Sequence, residues 1–350
     1  MVILAIFVGI SDMLGGFDRY IYGEVFDSIS ASIHKGLGIY GFSFATFMWI
    51  TEPAYLLWNI IIGLFTCNRY IFILITTFTI YYLFYKSFKR NVPQPLFGLI
   101  LFMGLYFFFT FTYLRQVFAV AIVWNSLKFI EQRNMKKFLL TITLATLFHN
   151  SAIICFPIYF IPIRQFSRKT VIICFCICLA FGMTGIHEKI FQIFGNVVEN
   201  DNRATMNYSD VKSIRPEYIL ESIFFLWLIF ISYNRKDFTK PDIIHMNIAI
   251  IFCLILALFC RSSDGGRISW FFMIGLISLF SKMYSKPKSI SVYGVALSLV
   301  SALLYIRILV VWGILLSPYK TFLTDGIRRG DYIHEFFEYD RRYNDNKFYK

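Results

Sequence analysis

Long apolar runs alternate with short polar segments along most of the 350-residue chain. The runs from Leu96 to Leu114 and from Ile243 to Cys260 contain no aspartate, glutamate, lysine or arginine. A single transmembrane helix needs about 20 mainly apolar residues. The pattern therefore predicts an all-α polytopic integral membrane protein with roughly 9–11 transmembrane or re-entrant helices.

Composition and charge agree with this class. Hydrophobic residues make up 57% of the chain and charged residues only 16%, which excludes a soluble globular protein. The net charge of +13 is concentrated in short clusters between apolar runs, so nucleic acid is not an expected partner. By the positive-inside rule these clusters predict cytoplasmic loops, whereas the mixed-charge loop 195–217 is predicted outside. The five clusters are Lys86/Lys89/Arg90, Arg133/Lys136/Lys137, Arg164/Arg168/Lys169, Arg235/Lys236/Lys240 and Lys282/Lys286/Lys288.

The clusters also orient the apolar runs between them. Leu96–Leu114 is predicted to run outward and Gln116–Ile130 to return, which puts Arg115 at the outer face. The segment from Arg261 to Arg267 is likewise predicted to be a short outer loop. Both turns would therefore present arginines on the same side of the membrane.

Two segments do not fit simple crossings. Phe138–Pro162 has basic clusters at both ends but only 25 residues, too few for two spans. We predict a re-entrant hairpin that turns near His149, with a water-filled cavity around the turn. In Phe42–Phe84, the helix breaker around Pro53 and the polar residues near Asn68 predict one partial insertion and one full span.

We expect one membrane domain with an outer-face catalytic cavity, residues 1–316, and a polar tail, residues 317–350. The tail is predicted outside, with an interfacial helix at residues 335–342. Met1 opens directly into an apolar run, which predicts an uncleaved first span. The seven cysteines lie in or beside apolar segments and are interpreted as small apolar side chains, so no metal site is expected.

Polar residues inside or between the apolar runs are the candidates for function. Hydrocarbon penalises side chains that can carry charge, so such residues normally face a polar cavity. The guanidinium of Arg115 matches phosphate oxygens in bidentate fashion, and the Gln116 amide can bond sugar hydroxyls. His149 could act as a general base or bond a substrate together with Asn150. The structural alternative is a snorkelling arginine and a histidine packed against a neighbouring helix.

Acidic residues and a second arginine extend the set of candidates. Asp18 and Tyr22, four residues apart, would share one face of a helix. Glu52 precedes a proline and could simply cap a helix, just as Asp18 could be an interfacial anchor. Asp264 and Arg267 flank two glycines that would let a substrate approach the backbone.

These motifs resemble a known family. The sequence Leu-Arg115-Gln116-Val-Phe-Ala, with Leu-Ala-Thr-Leu-Phe-His149-Asn-Ser-Ala further on, is similar to the core signature of the EpsG family. Members of that family are bacterial Wzy-like polysaccharide polymerases. Gly-Gly-Phe-Asp18-Arg-Tyr-Ile-Tyr22 and Glu52-Pro-Ala-Tyr are similar to its N-terminal motifs, although the family more often has threonine before the aspartate. The resemblance covers residues 15–165 and Arg267.

The resemblance implies a membrane glycosyltransferase of GT-C-like architecture in the bacterial cytoplasmic membrane. It would join polyprenyl-diphosphate-linked oligosaccharides into a capsule, exopolysaccharide or O-antigen, without metal or cofactor. A flippase and a chain-length regulator are expected as partners. His149, Asp18 and Glu52 are candidate bases. Arg115, Gln116, Arg267, Tyr22, Asn150 and Asp264 are candidate substrate-binding residues. A lipid-oligosaccharide flippase or transporter and a membrane O-acyltransferase remain alternatives.

Overall fold

A computed structural model describes residues 1–11, 17–37, 51–185, 213–235, 237–262, 265–286, 289–312, 319 and 321–323. These residues form twelve α-helices, three 3₁₀ helices and one pair of two-residue antiparallel strands. The α-helices are α1 Val2–Gly9, α2 Phe17–His34, α3 Pro53–Gly63, α4 Arg69–Asn91, α5 Pro95–Leu105, α6 Leu114–Glu131, α7 Met135–Phe148, α8 Arg168–Thr184, α9 Pro216–Ser232, α10 Lys240–Leu258, α11 Met273–Tyr284 and α12 Val292–Trp312. The 3₁₀ helices are Phe107–Phe111, Asn150–Phe160 and Gly265–Phe272, and the strands are β1 Ser285–Lys286 and β2 Ser289–Ile290.

The protein is an all-α polytopic membrane protein, as predicted. In the described residues, α4, α10 and α12 are long and apolar enough to cross a bilayer. Only 17% of the most apolar stretch of α12 is buried, and Leu303 and Val310 on its surface are largely exposed. An apolar helix with so little protein contact needs lipid around it.

The helix α6 lies at the centre of the fold. Thirteen of its 18 residues are buried, and they surround the helix instead of forming one stripe. Trp124 is fully buried in α6 and donates its indole N–H to the carbonyl of Phe271, 3.1 Å away. The N-terminus of this helix carries Arg115 and Gln116, so the packing of α6 fixes both residues.

The run Leu96–Leu114, which we predicted to run outward, is not one continuous helix. It consists of α5, the 3₁₀ helix Phe107–Phe111 and a short break before α6. Within the 3₁₀ helix the Thr110 hydroxyl donates to the carbonyl of Phe107 at 2.7 Å, a local bond that competes with α-helical pairing. Phe102 of α5 and Trp124 of α6 have ring centroids 6.4 Å apart, so the two helices meet there, and the outward and return directions of the two runs stay a prediction.

The chain reversal predicted in Phe138–Pro162 is confirmed, whereas its re-entrant depth and the water-filled cavity around the turn stay predictions. Its arms are α7 and the 3₁₀ helix Asn150–Phe160, and they are separated by His149 in an extended conformation. Phe138 near the start of one arm and Tyr159 near the end of the other have ring centroids 5.3 Å apart. The chain therefore reverses at His149 and returns to the end where it started.

Basic clusters that are distant in sequence meet at one end of the molecule. Arg90 pairs with Glu131 at 3.4 Å, beside the second cluster. The guanidinium of Arg168 donates to Asn234 at 3.2 Å, and Lys282 pairs with Asp242. These contacts support the prediction that the clusters share a face. We call the end of the molecule that carries these basic clusters, with Arg90, Arg168 and Lys282, the basic end.

The first apolar run is shorter than the predicted first span. The helix α1 has eight residues, about 12 Å, which is less than half the thickness of the hydrocarbon core. Arg19 of α2 donates to the carbonyl of Val8, near the end of α1, at 2.9 Å, and also to the hydroxyl of Ser11. These bonds hold the end of α1 against α2.

Residues 319 and 321–323 are the described part of the polar tail. The backbone N–H of Phe322 donates to the carbonyl of Ile10, and its ring packs 5.3 Å from Tyr70 at the start of α4. Because Arg90 at the other end of α4 belongs to the basic end, this part of the tail lies on the opposite side. The predicted interfacial helix at 335–342 and most of the 195–217 loop lie outside the described residues.

Candidate functional site

Glu52 is the centre of the candidate site. It stands at the N-cap of α3, immediately before Pro53, as the sequence suggested. The Glu52 side chain does not cap the helix, however, and only 3% of the residue is exposed. The two carboxylate oxygens instead contact two different side chains from distant parts of the sequence.

One carboxylate oxygen accepts a bond from Arg115. This residue is the second of α6, and its Nη1 donates to Glu52 Oε2 in a charge-assisted hydrogen bond. The guanidinium carbon also lies 5.6 Å from the centre of the Tyr22 ring, within range of a cation–π contact. About a quarter of the Arg115 side chain is exposed. The arginine is therefore fixed by a carboxylate and a ring, and it still reaches the surface of the site.

The other carboxylate oxygen contacts His149. The Nδ1 atom of the imidazole lies 2.5 Å from Glu52 Oε1. If the carboxylate is ionised, Nδ1 carries the proton and donates it to Glu52, which leaves a lone pair on Nε2. Nε2 forms no hydrogen bond within the described chain, and 17% of the side chain is exposed. A carboxylate that fixes the tautomer and orientation of an imidazole in this way prepares its other nitrogen to accept a proton.

The second arginine is connected to the first through α6. Gln116 follows Arg115, and its amide Nε2 donates to the backbone carbonyl of Arg267 at 3.0 Å. The guanidinium of Arg267 lies 4.8 Å from the centre of the ring of Tyr113, the N-cap residue of α6. The N-terminus of α6 therefore carries one arginine and positions the other, and its helix dipole adds further positive potential.

Gln116 thus has a different contact from the one its sequence suggested. We expected its amide to bond sugar hydroxyls, but the residue is 97% buried and its amide N–H is donated to the Arg267 carbonyl. In the structure Gln116 is a residue that positions Arg267. The sequence motif identified an important residue but did not reveal its partner.

Two tyrosines complete the environment of the carboxylate. The rings of Tyr22 and Tyr55 are 6.0 Å apart in an edge-on arrangement, and Tyr55 is fully buried. Tyr55 was not among the predicted site residues, although it lies three residues after Glu52, one helical turn away. Tyr113 was also missed, and only its position two residues before Arg115 could have indicated it.

The remaining candidates are described only in part. Asp18 lies in the first turn of α2, but its side chain is outside the described part of the structure. Asp264 is outside the described residues altogether. Asn150 begins the 3₁₀ helix next to His149 and is half-buried. In the described parts of the chain, no group of three or more histidine, cysteine, aspartate or glutamate side chains is arranged to hold a metal ion.

The described charges of the site are complementary to an anionic ligand. Arg115 and Arg267 supply two positive charges and Glu52 one negative charge, with a half-buried imidazole beside them. A family model with the description EpsG family matches residues 1–321, which is most of the chain. The protein belongs to the EpsG family. No curated protein and no solved structure matches the chain.

Membership in the EpsG family gives the site its general chemistry. EpsG-like proteins are polysaccharide polymerases of the Wzy type, so this chain is a membrane enzyme of the polymerase or glycosyltransferase kind. The cluster of Glu52, Arg115 and His149 lies within the matched region, as does Arg267. In this EpsG-family protein a carboxylate, a guanidinium and an imidazole meet at Glu52, and the second arginine, Arg267, is bonded through its backbone to Gln116, the neighbour of Arg115.

Proposed function

We propose that this EpsG-family protein joins polyprenyl-diphosphate-linked oligosaccharide repeat units into a surface polysaccharide, such as a capsule, an exopolysaccharide or an O-antigen. The reaction would occur at the outer leaflet of the bacterial cytoplasmic membrane, which the chain crosses several times. The observation that carries the proposal is the carboxylate of Glu52, shared between Arg115 and His149. It joins a cation suited to a diphosphate with a base suited to a sugar hydroxyl.

In the proposed reaction, a hydroxyl of one repeat unit attacks the anomeric carbon of another. A carbon–oxygen bond forms to the acceptor while the bond to the diphosphate breaks, and polyprenyl diphosphate departs with the electron pair. Arg115 and Arg267 would stabilise the negative charge that develops on the leaving diphosphate. Fixed guanidinium groups can supply this stabilisation without a metal ion.

His149 is our preferred base. Its Nε2 would take the proton of the attacking hydroxyl while Nδ1 stays bonded to Glu52. Glu52 itself is less suited to this role, because a carboxylate between a guanidinium and an imidazole favours its ionised form and binds protons weakly. Asp18 is the remaining candidate base. This assignment gives Glu52 the task of orienting His149 and Arg115 toward the substrate.

The location of the site supports the proposed sidedness. The clusters with high positive charge gather at the basic end, which the positive-inside rule places in the cytoplasm. Arg115 and the turn at His149 lie at the opposite ends of α6 and α7 from those clusters. A lipid-linked donor and acceptor in the outer leaflet would therefore reach the site directly. A flippase and a chain-length regulator are the expected partners of such an enzyme.

Two other functions would use some of the same residues. A flippase or transporter of lipid-linked oligosaccharides would also need arginines in a cavity, and a membrane O-acyltransferase would also need a basic histidine. Neither explains why a carboxylate should hold both groups at once. Chain elongation distinguishes the three possibilities.

The test uses purified protein in proteoliposomes supplied with lipid-linked repeat units. We expect a ladder of longer lipid-linked saccharides on a gel, with release of polyprenyl diphosphate in proportion to the linkages formed. Movement of the repeat unit across the bilayer without elongation would identify a carrier and refute the proposal. Acyl transfer from a thioester, without new glycosidic bonds, would do the same in favour of an acyltransferase.

A further inference from the structure

A cavity lies away from the candidate site, close to the basic end. It lies between the 3₁₀ helix Asn150–Phe160, α8 and α10, and its volume is about 370 Å³. This is within the range of about 300–1,000 Å³ that is typical of small-molecule sites. Its walls are mainly apolar and include Phe160, Val171, Ile251 and Leu254. The cavity can therefore accept a hydrocarbon chain.

One polar group in the wall lacks a partner. Asn247 is 94% buried, with 6% exposed, and its amide nitrogen donates to the carbonyls of Pro162 and Arg164 at 3.2 Å each. Its carbonyl oxygen Oδ1 is buried without a hydrogen-bond donor. A buried acceptor that stays unpaired costs free energy, so a ligand hydroxyl that reached this oxygen from the cavity would be stabilised.

Positive charge lies beside the same cavity. The guanidinium of Arg164 lies over the ring of Phe166, 5.4 Å from its centre, and that ring is part of the cavity wall. Arg168 and Lys169 follow at the start of α8, and all three basic side chains are exposed. Asn247 donates to the backbone carbonyl of Arg164, so the residue with the unpaired oxygen lies next to the residue that carries the positive charge.

We propose that this cavity is a binding site for an anionic phospholipid of the cytoplasmic leaflet. One acyl chain would occupy the apolar space, the phosphate would lie beside Arg164, and a headgroup hydroxyl would donate to Asn247. Phosphatidylglycerol has all three features. Juxtamembrane basic clusters attract anionic lipids in general, and here a cavity for the chain adjoins the cluster. The proposal does not depend on the polymerase reaction.

The experiment measures lipids bound to the purified, delipidated full-length protein by native mass spectrometry. The probes are phosphatidylglycerol and phosphatidylcholine with identical acyl chains. We expect phosphatidylglycerol to bind about fivefold better, the ratio that one basic side chain near an anionic headgroup provides. Equal binding of the two lipids would overturn the proposal, because it would indicate only general annular lipid.

Variants test each part of the site. Arg164→Gln should reduce phosphatidylglycerol binding to the level of phosphatidylcholine, whereas Arg90→Gln, an arginine at the basic end but outside the cavity wall, should preserve the difference. Leu254→Trp should fill the cavity and reduce binding of both lipids; Cys174→Phe, at another part of the wall, serves if that variant misfolds. Unchanged binding in the Arg164 variant or in a folded cavity-filling variant would overturn the proposal.

A further competitor separates a lipid from a free phosphate. Glycerol 3-phosphate carries the anionic group without the acyl chains. It should fail to displace phosphatidylglycerol at equal concentration, because the apolar cavity contributes to binding. Displacement at equal concentration would show a site for soluble phosphates and would refute the lipid assignment.

Discussion

Replacing Glu52 by glutamine is the sharpest test of the candidate site. The change preserves the size of the side chain but removes its negative charge and one of its two acceptor oxygens. In the native protein one oxygen accepts from Arg115 and the other contacts His149. An amide has only one oxygen. If that oxygen stays on Arg115, the NH₂ group donates to Nδ1 of His149 and fixes the tautomer that carries its proton on Nε2, which then cannot accept another proton. If the oxygen stays on His149, the NH₂ group faces the guanidinium, so we expect either His149 to hold the wrong tautomer or Arg115 to lose its orientation.

The size of the effect follows from this geometry. In serine proteases, neutralising the carboxylate that orients a catalytic histidine lowers turnover by about 10⁴. We expect Glu52→Gln to lower elongation by a factor of about 10³–10⁴ on the same reasoning. Glu52→Asp retains the charge but withdraws it by roughly 1.5 Å, and misplacement of about 1 Å can cost about 10²-fold. The aspartate variant should therefore fall between wild type and the glutamine variant.

Stability must be separated from chemistry. Breaking a fully buried ion pair costs about 3–5 kcal/mol, but the partners of Glu52 are 17% and 25% exposed. We expect a loss of about 1–3 kcal/mol, because water can screen part of the remaining charge. Asp27→Asn is the matched control, since Asp27 forms a similarly buried pair with Arg69 at 2.7 Å outside this cluster. It should lower the unfolding temperature without lowering elongation per folded molecule.

The assay is elongation of lipid-linked repeat units per folded molecule, with folding checked by thermal unfolding in detergent. The reasoning fails if Glu52→Gln elongates at the wild-type rate. It also fails if the Glu52 and Asp27 variants lose activity in the same proportion as they lose stability. In either case the shared carboxylate would be a structural contact.

Other consequences can be checked separately. Arg115→Lys should elongate almost as poorly as Arg115→Ala on a gel ladder, because an ammonium cannot make bidentate contacts with a diphosphate; a wild-type ladder would contradict this. His149→Asn should abolish elongation from about pH 5 to 8 if the imidazole is the base, whereas measurable activity with little pH dependence would indicate only substrate orientation. Gln116→Leu should raise KM more than it lowers kcat, since it removes the hydrogen bond from Gln116 to the Arg267 carbonyl and with it the contact that positions the second arginine. An unchanged KM would count against that role. In a cysteine-free background, Thr184→Cys should react with an impermeant maleimide added outside intact cells and Gln132→Cys should not; the opposite labelling would reverse the assigned sidedness.

The helical framework could be predicted from the sequence because it depends on local composition. Apolar runs of sufficient length identify α4, α10 and α12, and basic clusters indicate which helix ends share a face. The hairpin around His149 follows from two facts together: basic clusters lie at both ends of Phe138–Pro162, and its 25 residues are too few for two spans. Each of these signals lies within a window of a few tens of residues.

The contacts of the site could not be predicted in the same way. Glu52 and His149 are 97 positions apart, and Gln116 and Arg267 are 151 positions apart. Helical periodicity says which face of a helix is apolar, but not which other helix it meets. For this reason the proline after Glu52 predicted its N-cap position correctly, while its actual partners appeared only in the tertiary structure.

The elements that carry these residues share one property, which explains why a polar site can exist here. Glu52 precedes an 11-residue helix, Arg115 follows a break between helices, His149 lies at the turn of a hairpin, and Arg267 lies in a 3₁₀ helix. Helices that end inside the molecule leave backbone groups that need polar partners or water. Such ends create the hydrophilic space that a continuous transmembrane helix would exclude. The short and interrupted apolar runs are thus the part of the sequence that most directly indicates where this enzyme could bind a charged, hydroxyl-rich substrate.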